Sequence, residues 1–230
     1  MDSTRIAQLL RPFLATETAV LSPLQLEQIS IYIDLLLRWN ARVNLTAIRQ
    51  PEEIVTRHFG ESLFAARHLF PSIHAVAAQS PAESGLLDVG SGAGFPGLPI
   101  KIWAPPVHVT LIESNQKKAT FLREVIRSLT LTNVDVFSGR AEHFPDHAET
   151  VTLRAVERFE SALPTAARLV KAGGRLALLI GESQIAQARE LVRDVRWTEP
   201  VPVPLSSSRI LLVGAQAPGG PNLAEQVPSK

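Results

Sequence analysis

A glycine-rich stretch at residues 86–97 contains the residue types best suited to binding a ligand; it reads Leu-Leu-Asp-Val-Gly-Ser-Gly-Ala-Gly-Phe-Pro-Gly. The apolar run around Asp88 is typical of a buried strand, and Pro96 suits the first turn of a helix. The glycines between them permit positive φ and let a ligand approach the backbone closely. A strand, a glycine loop and a helix N-terminus in this order indicate a nucleotide-type cofactor site.

Two cofactors compete for this loop. From Gly92 the stretch fits the dinucleotide pattern G-x-G-x-x-G, and Glu113 follows at about the expected ~20 residues, which favours NAD. From Gly90 the pattern is G-x-G-x-G, and Phe95 replaces the third dinucleotide glycine. The Asp88 carboxylate would repel a pyrophosphate but attract the ammonium and sulfonium of S-adenosylmethionine. The methyl donor is therefore favoured over NAD, and a glycine turn that binds nothing is the remaining alternative. The donor contacts expected from the loop itself are Asp88, Gly90, Gly92, Gly94 and Phe95.

Three further candidates lie where predicted strands end, the edge at which open α/β sheets bind ligands. Glu113 is placed to accept both ribose hydroxyls of an adenosine, and residues 139–142 to form a wall for the adenine. Arg154 lies where the donor carboxylate or the substrate would meet the sheet. The alternatives are an acid at a helix N-terminus for Glu113, a surface acid for Glu142 and a structural ion pair for Arg154.

Arginine and amide side chains cluster in residues 38–58, between two predicted helices. The guanidinium fork suits phosphate, so we expect Arg38, Arg42 and Arg57 to contact a nucleic-acid backbone. The alternative is a polar turn in which asparagine side chains cap backbone groups while Trp39 fills the core.

The composition limits the classes of protein to which this chain can belong. The 230 residues are 45% apolar and 20% charged, with a net charge of +1, as expected of one globular core with an appendage. The chain has no cysteine, which excludes disulfides and thiolate zinc sites. The six histidines lack metal-ligand spacing, so no metal is predicted. Without a signal-like start or a long apolar run, we expect a cytoplasmic protein with no membrane association.

The order of elements predicts a helical extension over residues 1–70, a linker over 71–84, a core over 85–216 and a disordered tail over 217–230. Ser22, Pro23 and Gln25 form a helix-start signal. In the core, strands and helices alternate, which predicts a parallel sheet covered on both faces. The predicted strands are 86–89, 107–113, 134–137, 151–156 and 175–180, and the helices 116–129, 161–171 and 182–193.

The last two predicted strands, residues 201–205 and 210–213, leave no room for a helix between them and must pair as an antiparallel hairpin. The fold class is therefore α/β. A Rossmann-like, doubly wound sheet that ends in such a hairpin resembles the class I S-adenosylmethionine-dependent methyltransferase fold more than a dinucleotide-binding domain.

The sequence lacks several catalytic groups that particular methyl acceptors require, and this narrows the range of possible acceptors. Methylation at pyrimidine C5 needs a cysteine nucleophile, and the chain has none. The predicted fourth strand ends in Leu153-Arg154-Ala155-Val156, which is neither the Asn/Asp-Pro-Pro-aromatic loop typical of exocyclic-amine methylation nor a base for a ribose hydroxyl. Guanine N7 already has a free lone pair, so placement in line with the methyl group suffices.

These residues together resemble a known family. Arg38-Trp39-Asn40, Asn44-Leu45-Thr46 and Arg57-His58 are similar to the N-terminal signature of the bacterial small-subunit ribosomal RNA methyltransferase G family, also called glucose-inhibited division protein B. Residues 88–97 resemble its donor loop. Further matches, within a resemblance that covers about residues 35–215, are Lys117-Lys118, Phe121-Leu122, Ala141-Glu142, Arg154-Ala155 and Arg209.

The resemblance implies transfer of a methyl group from S-adenosylmethionine to N7 of one guanine of 16S rRNA near the decoding region, with the small ribosomal subunit or its precursor as partner. We expect a monomer, with Arg154 as the catalytic candidate. By match, donor contacts fall on Gly90, Phe95, Glu113, Ala141, Glu142 and Arg154. The RNA contacts expected are Arg38, Arg42, Asn44, Arg57, His58 and Arg209.

One departure and two alternatives accompany this interpretation. The family usually has lysine where this chain has Ile180. If that lysine helps to hold RNA or the donor, its role is absent here or is taken by another cation such as Lys171 or Arg209. The alternatives are an NAD(P)-dependent oxidoreductase and a non-catalytic RNA-binding assembly protein.

Overall fold

A computed structural model describes residues 1–14, 20–71, 85–155 and 158–217. Almost all of the predicted linker and tail lies outside these ranges. The helices are α1 (Ser3–Leu14), α2 (Pro23–Asn40), α3 (Pro51–Glu53), a π-helix (Ile54–Gly60), α4 (Glu61–Leu69), α5 (Gly97–Trp103), α6 (Gln116–Ser128), α7 (Phe159–Arg168) and α8 (Ile185–Leu191). The strands are β1 (Gly85–Val89), β2 (His108–Ile112), β3 (Val134–Phe137), β4 (Ala148–Arg154), β5 (Val170–Gly181), β6 (Val195–Trp197), β7 (Val201–Pro202) and β8 (Arg209–Gln216).

The predicted start of α2 is confirmed. The Ser22 hydroxyl accepts a hydrogen bond from the Gln25 N–H, and the Gln25 side chain accepts one from the Ser22 N–H at 2.8 Å. Two otherwise unpaired backbone donors are satisfied in this way. The Gln25 side-chain amide also donates to the carbonyl of Ile102 in α5 at 2.7 Å, which fixes the start of α2 against the core.

The central sheet has the order β3-β2-β1-β4-β5-β8-β6, with β7 paired to β8. Strands β1 to β5 are parallel, and β8 runs antiparallel to β5, β6 and β7. The predicted α/β class and the antiparallel hairpin are therefore confirmed, with Val201 opposite Leu211. The sequence reasoning missed β6, a strand of three residues that is too short to show an alternating pattern.

Several predicted boundaries were wrong. The helix expected to run to Lys171 ends at Arg168, and β5 begins at Val170, where it pairs with Ala148. Gly173 was expected to stop the helix, but it lies inside β5 with a φ of +74° at a register shift between β4 and β5. The helix predicted from residue 182 is a short 3-10 turn followed by α8.

Two apolar clusters cover the two faces of the sheet. One face packs against α7 and α8. The other packs against α5 and α6 and also against α1, α2, the π-helix and α4 of the N-terminal segment. The N-terminal helices thus share one core with the sheet, at the edge where β1 leads into the glycine loop. Within the described ranges, no helix combines the length and apolarity needed to cross a membrane.

Candidate active site

The glycine loop follows β1 and turns through three glycines in the left-handed region. Their φ angles are +69° at Gly90, +57° at Gly92 and +89° at Gly94, a conformation that side chains with a Cβ rarely adopt. The N–H groups of Gly90 and Ser91 both donate to the carbonyl of Ile112 at the end of β2. The loop is thereby fixed to the carboxyl edge of the sheet.

Helix α5 begins one residue later than the sequence suggested. Pro96 precedes its first residue, with a φ of −92°, and the Phe95–Pro96 peptide bond is cis. Pro96 was expected within the first helical turn, and it forms the N-cap instead.

Asp88 lies beneath the loop, with only 1% of its surface exposed. Its carboxylate accepts a hydrogen bond from the Gly97 N–H at 3.1 Å and from the Thr152 hydroxyl at 2.8 Å. Burial raises the pKa of Asp88 to about 6, although the hydrogen bonds from Thr152 and Gly97 act in the opposite direction. Asp88 therefore joins β1, β4 and the start of α5 and places a negative charge under the loop. Its contact with the donor stays a prediction.

Glu113 links the end of β2 to the glycine loop. Its two carboxylate oxygens accept hydrogen bonds from the N–H groups of Gly92, at 2.9 Å, and Asn115, at 2.7 Å. An ionised carboxylate has about four acceptor positions, so capacity for ribose hydroxyls is left. Ala141 and Glu142 form a 3-10 turn beyond β3, where Glu142 is exposed and Ala141 half-buried. Their donor contacts also stay predictions.

Phe95 is enclosed by aromatic rings from the N-terminal segment. The Tyr32 ring stacks on one side, with centroids 5.3 Å apart and planes 5° from parallel, and the His58 ring lies 4.7 Å away at 24°. The Phe59 ring meets Phe95 edge-on at 5.2 Å. The Phe95 side chain is therefore a packing element that joins the loop to α2 and the π-helix, and its donor contact stays a prediction.

Arg154, at the end of β4, forms a buried ion pair with Glu61 of α4. One guanidinium nitrogen, Nη2, lies 2.9 Å from the Glu61 carboxylate and donates to the Arg57 carbonyl at 2.6 Å. The side chains of Arg154 and Glu61 are 9% and 3% exposed. The structural ion pair considered from the sequence is thus present, and it connects the sheet to α4, while the hydrogen bond to Arg57 connects the sheet to the π-helix. The catalytic role of Arg154 stays a prediction.

His58 is held in its neutral form between these groups. Its Nε2 lies 2.8 Å from the Thr46 hydroxyl, and its Nδ1 lies 3.4 Å from Nη2 of Arg154. Burial, together with the positive charges of Arg154 and Arg57, lowers the pKa of His58 to about 3. At neutral pH this ring carries no charge.

The arginines predicted to contact RNA are accessible. Arg38, Arg42 and Asn44 are exposed around the end of α2, and the Arg57 side chain is 48% exposed while its Nε bonds Glu61 at 3.3 Å. Arg209 begins β8 opposite Gly181. Burial lowers the pKa of the Arg154 guanidinium, and the positive charge of Arg209 is near enough to act in the same direction. Arg57, Arg154 and Arg209 therefore lie along one edge of the sheet, whereas Arg38 lies on the last turn of α2 and Arg42 and Asn44 lie in the turn after it.

Part of the polar cluster is structural, as the alternative proposed. The Asn40 side chain accepts hydrogen bonds from the Leu45 and Thr46 N–H groups and donates to the Thr46 carbonyl. Trp39 packs against Phe121 with centroids 5.6 Å apart. Both residues shape the turn after α2.

Sequence reasoning missed three residues that build this site: Tyr32, Glu61 and Thr152. Tyr32 and Glu61 lie within helices where their neighbours show only amphipathic periodicity, so no local motif marks them. Thr152 precedes Arg154 by two residues on β4, and the period of a strand could have placed it beside the strand end.

The loop leaves room for a cofactor at Gly92. Within the ranges that the structure describes, a Cβ built there would meet no atom closer than the Gly90 carbonyl oxygen at 3.8 Å, so this face of the loop is open. A buried acid at the end of β1 and a second at the end of β2 flank it. These residues fit a positively charged adenosine cofactor, and the fold and the site together define a class I S-adenosylmethionine-dependent methyltransferase.

Comparisons with known proteins agree. The profile of the family described as rRNA small subunit methyltransferase G matches residues 25–207. A protein of Roseiflexus castenholzii named ribosomal RNA small subunit methyltransferase G is 40% identical over 202 residues, 82% of each chain. One of Desulfitobacterium hafniense with the same name is 42% identical over 176 residues, 74% of this chain and 67% of the other. The chain belongs to the rRNA small subunit methyltransferase G family, and S-adenosylmethionine is its cofactor.

Solved structures show the same fold. Magnesium protoporphyrin IX methyltransferase from Synechocystis PCC 6803, solved with bound SAM, aligns with a TM-score of 0.60 at 13% identity, covering 83% of this chain and 97% of the other. A SAM-dependent methyltransferase from Aquifex aeolicus aligns with a TM-score of 0.53 at 16% identity, covering 72% and 93%. The NAD(P)-dependent oxidoreductase considered from the glycine pattern is not favoured. Over the described ranges, no group of three or more His, Cys, Asp or Glu side chains is arranged to hold a metal ion.

Proposed function

We propose that the protein transfers a methyl group from S-adenosylmethionine to N7 of one guanine in 16S rRNA, near the decoding region of the small ribosomal subunit. The name shared by the relatives supports small-subunit rRNA as the substrate. The cofactor supplies an electrophilic methyl group when it is bound. The residues of this chain bind the donor, orient the base and exclude water.

The choice of N7 rests on one observation: the ionisable side chains around the end of β4 are already engaged in hydrogen bonds and ion pairs within the protein. Asp88 is buried with both carboxylate oxygens bonded, and Glu61 is shared by Arg57 and Arg154. The pKa of His58 is too low for a useful base, and each of its ring nitrogens faces a polar partner. None of these three side chains is poised to remove a proton, and guanine N7 has no proton to remove.

The direct test is to map the methyl group after reaction of the purified protein with small subunits and labelled donor. Reduction with borohydride followed by aniline cleaves RNA at N7-methylguanine, so we expect one cleavage in 16S rRNA. A labelled product that resists this treatment, with methylation at an exocyclic amine or a ribose, would contradict the assignment. Naked 16S rRNA and assembly intermediates, tested in parallel, identify the form of the substrate.

The methyl-transfer rate should be nearly independent of pH between roughly 6.5 and 9. His58 stays neutral in this range, burial holds the pKa of Tyr32 well above its usual value, and Asp88 is ionised above its pKa of about 6. A cationic donor favours the ionised form of Asp88, so donor affinity should fall as the pH drops below about 6. Single-turnover rates and donor titrations at each pH test both statements.

The Asp88→Asn variant is the control for the pH profile, because its side chain cannot ionise. Its donor affinity should be lower throughout and should not change around pH 6. A bell-shaped rate profile in the wild-type protein would show that an acid–base residue takes part, and the target atom would then not be N7.

RNA affinity should depend on salt through the arginines of the helical segment. Replacing Arg38, Arg42 and Arg57 together with glutamine should weaken binding and flatten the salt dependence by about one unit per lost phosphate contact. The matched control replaces Arg123, Arg127 and Arg193, three exposed arginines away from the glycine loop, and removes the same charge. An equal decrease of the salt dependence in both triple variants would mean that Arg38, Arg42 and Arg57 contribute only to the overall electrostatic attraction of RNA and make no specific phosphate contacts.

We also propose that residues 1–70 form the RNA-binding extension and residues 85–216 the catalytic core, acting together as a monomer in the bacterial cytoplasm. Small ribosomal subunits are assembled there, which supports this location. Light scattering of the purified protein measures the mass in solution, and fractionation of cells measures the location.

A further inference from the structure

Tyr32 of α2 is completely buried and reaches the glycine loop from the N-terminal segment. Its hydroxyl donates a hydrogen bond to the carbonyl of Ala93, in the middle of the loop. Its ring stacks in parallel on Phe95, two residues further on. One side chain from outside the core thus holds two successive parts of the loop.

The packing around Gly94 shows how closely Tyr32 determines the shape of the loop. A Cβ at Gly94 would collide with the Tyr32 hydroxyl and would lie 2.7 Å from a methyl group of Leu98. The loop backbone therefore lies directly on the Tyr32 side chain. The opposite face, at Gly92, is the open one.

The remaining bonds of the loop do not replace this contact. Ser91 accepts from the N–H groups of Gly94 and Phe95, and its hydroxyl donates to the Asp88 carbonyl. None of these bonds involves the Ala93 carbonyl, which belongs to a residue only 7% exposed. Loss of the Tyr32 hydroxyl would leave this acceptor without its partner, and the loop would have to shift to satisfy it.

We propose that Tyr32 is a positioning residue for the methyl donor: it holds the glycine loop in the conformation that binds the donor, so the N-terminal helical segment contributes to donor affinity. This inference rests on the proposed function for the identity of the donor. Tyr32 acts through the loop backbone, and burial keeps its hydroxyl protonated as the donor of the hydrogen bond. A hydrogen bond of this kind contributes a modest amount, so the effect on affinity should be several-fold.

The test compares Tyr32→Phe with the wild-type protein. Tyr32→Phe removes one oxygen atom and keeps the ring that stacks on Phe95. The control is Thr165→Val in α7, which also removes a buried hydroxyl, one that donates to the Ser161 carbonyl at 3.0 Å on the other face of the sheet. Calorimetric titration with S-adenosylhomocysteine measures affinity, thermal unfolding measures stability, and steady-state kinetics separate the two substrates.

We expect Tyr32→Phe to weaken S-adenosylhomocysteine binding by about 3- to 10-fold. The KM for the donor should rise by a similar factor, while kcat at saturating donor and the KM for small subunits stay unchanged. Thr165→Val should lower the unfolding temperature without changing donor affinity. A Tyr32→Phe protein that binds the donor as tightly as Thr165→Val does, or whose defect lies in the KM for RNA, would overturn the inference.

The result is separable from the proposed function. A wild-type protein that binds S-adenosylhomocysteine but methylates no rRNA would contradict the proposed reaction, and the Tyr32 comparison would still be decided by the titrations.

Discussion

Gly92→Val should abolish measurable binding of S-adenosylhomocysteine, a loss of roughly 100-fold or more. Among the described residues, nothing lies closer than 3.8 Å to a Cβ at residue 92, so the two methyl groups of valine would extend into the open face that we propose holds the donor. Valine at a φ of +57° also strains the backbone, by about 1–2 kcal/mol or more. Calorimetry measures the first effect and denaturant unfolding the second.

Gly173→Val separates the two effects. Gly173 has a φ of +74°, and a Cβ there would meet no atom of the described part of the chain within 4 Å, so the backbone strain is similar and no clash is expected. It lies near the start of β5, at the opposite edge of the sheet from the glycine loop. Both variants should lose similar stability, and only Gly92→Val should lose the donor. Equal donor binding by the two variants would mean that the open face at Gly92 is not the donor site.

Glu61→Ala should destabilise the protein by about 3–5 kcal/mol, because it leaves a buried guanidinium without its counter-ion. Glu61 is 3% exposed and pairs with Arg154 at 2.9 Å. Denaturant unfolding measures the change. The matched control is Glu52→Ala, which breaks an ion pair with Arg5 whose side chains are 58% and 44% exposed. That variant should lose no more than about 1 kcal/mol. Similar losses of stability in the two variants would show that the buried ion pair contributes no more to stability than the exposed one.

A double variant decides the role of Arg154. The double variant Glu61→Leu with Arg154→Met removes both charges of this buried pair, so stability should recover most of what Glu61→Ala loses. If Arg154 contacts the acceptor or the donor, this folded protein should still methylate rRNA far more slowly than the wild type. Arg154→Lys should also be slower, because lysine lacks the planar fork. Near-normal turnover in the double variant would assign Arg154 to positioning the π-helix.

The sequence predicted the parts of the fold that depend on neighbouring residues. The capping box at Ser22 and Gln25, the alternation of strands and helices, and the glycine loop are local patterns whose geometry follows from residue type and spacing. The order of acids at strand ends also placed Asp88 and Glu113 at one edge, because parallel strands bring their carboxyl ends together.

The local sequence patterns predicted the last strands of the core less well. The strand β6 has three residues, and β5 begins with a run that contains two glycines, so propensity suggested a helix stop instead of a strand. Pairing with β4 and β8 outweighed that propensity, since each added ladder bond satisfies backbone groups that burial would otherwise leave unpaired.

By itself, the sequence determined the fold class, the position of the glycine loop and the set of residues available for chemistry. The tertiary structure decided which of those residues are engaged with partners inside the protein and which remain available to a ligand. Glu61 and Arg154 are 93 residues apart in the chain, and Tyr32 and Ala93 are 61 apart, so no local pattern could pair them. Packing of the N-terminal helices on the sheet buries these groups together, and a buried charge or carbonyl must find a partner. That requirement ties Arg154 to α4 and the π-helix and places the glycine loop on Tyr32.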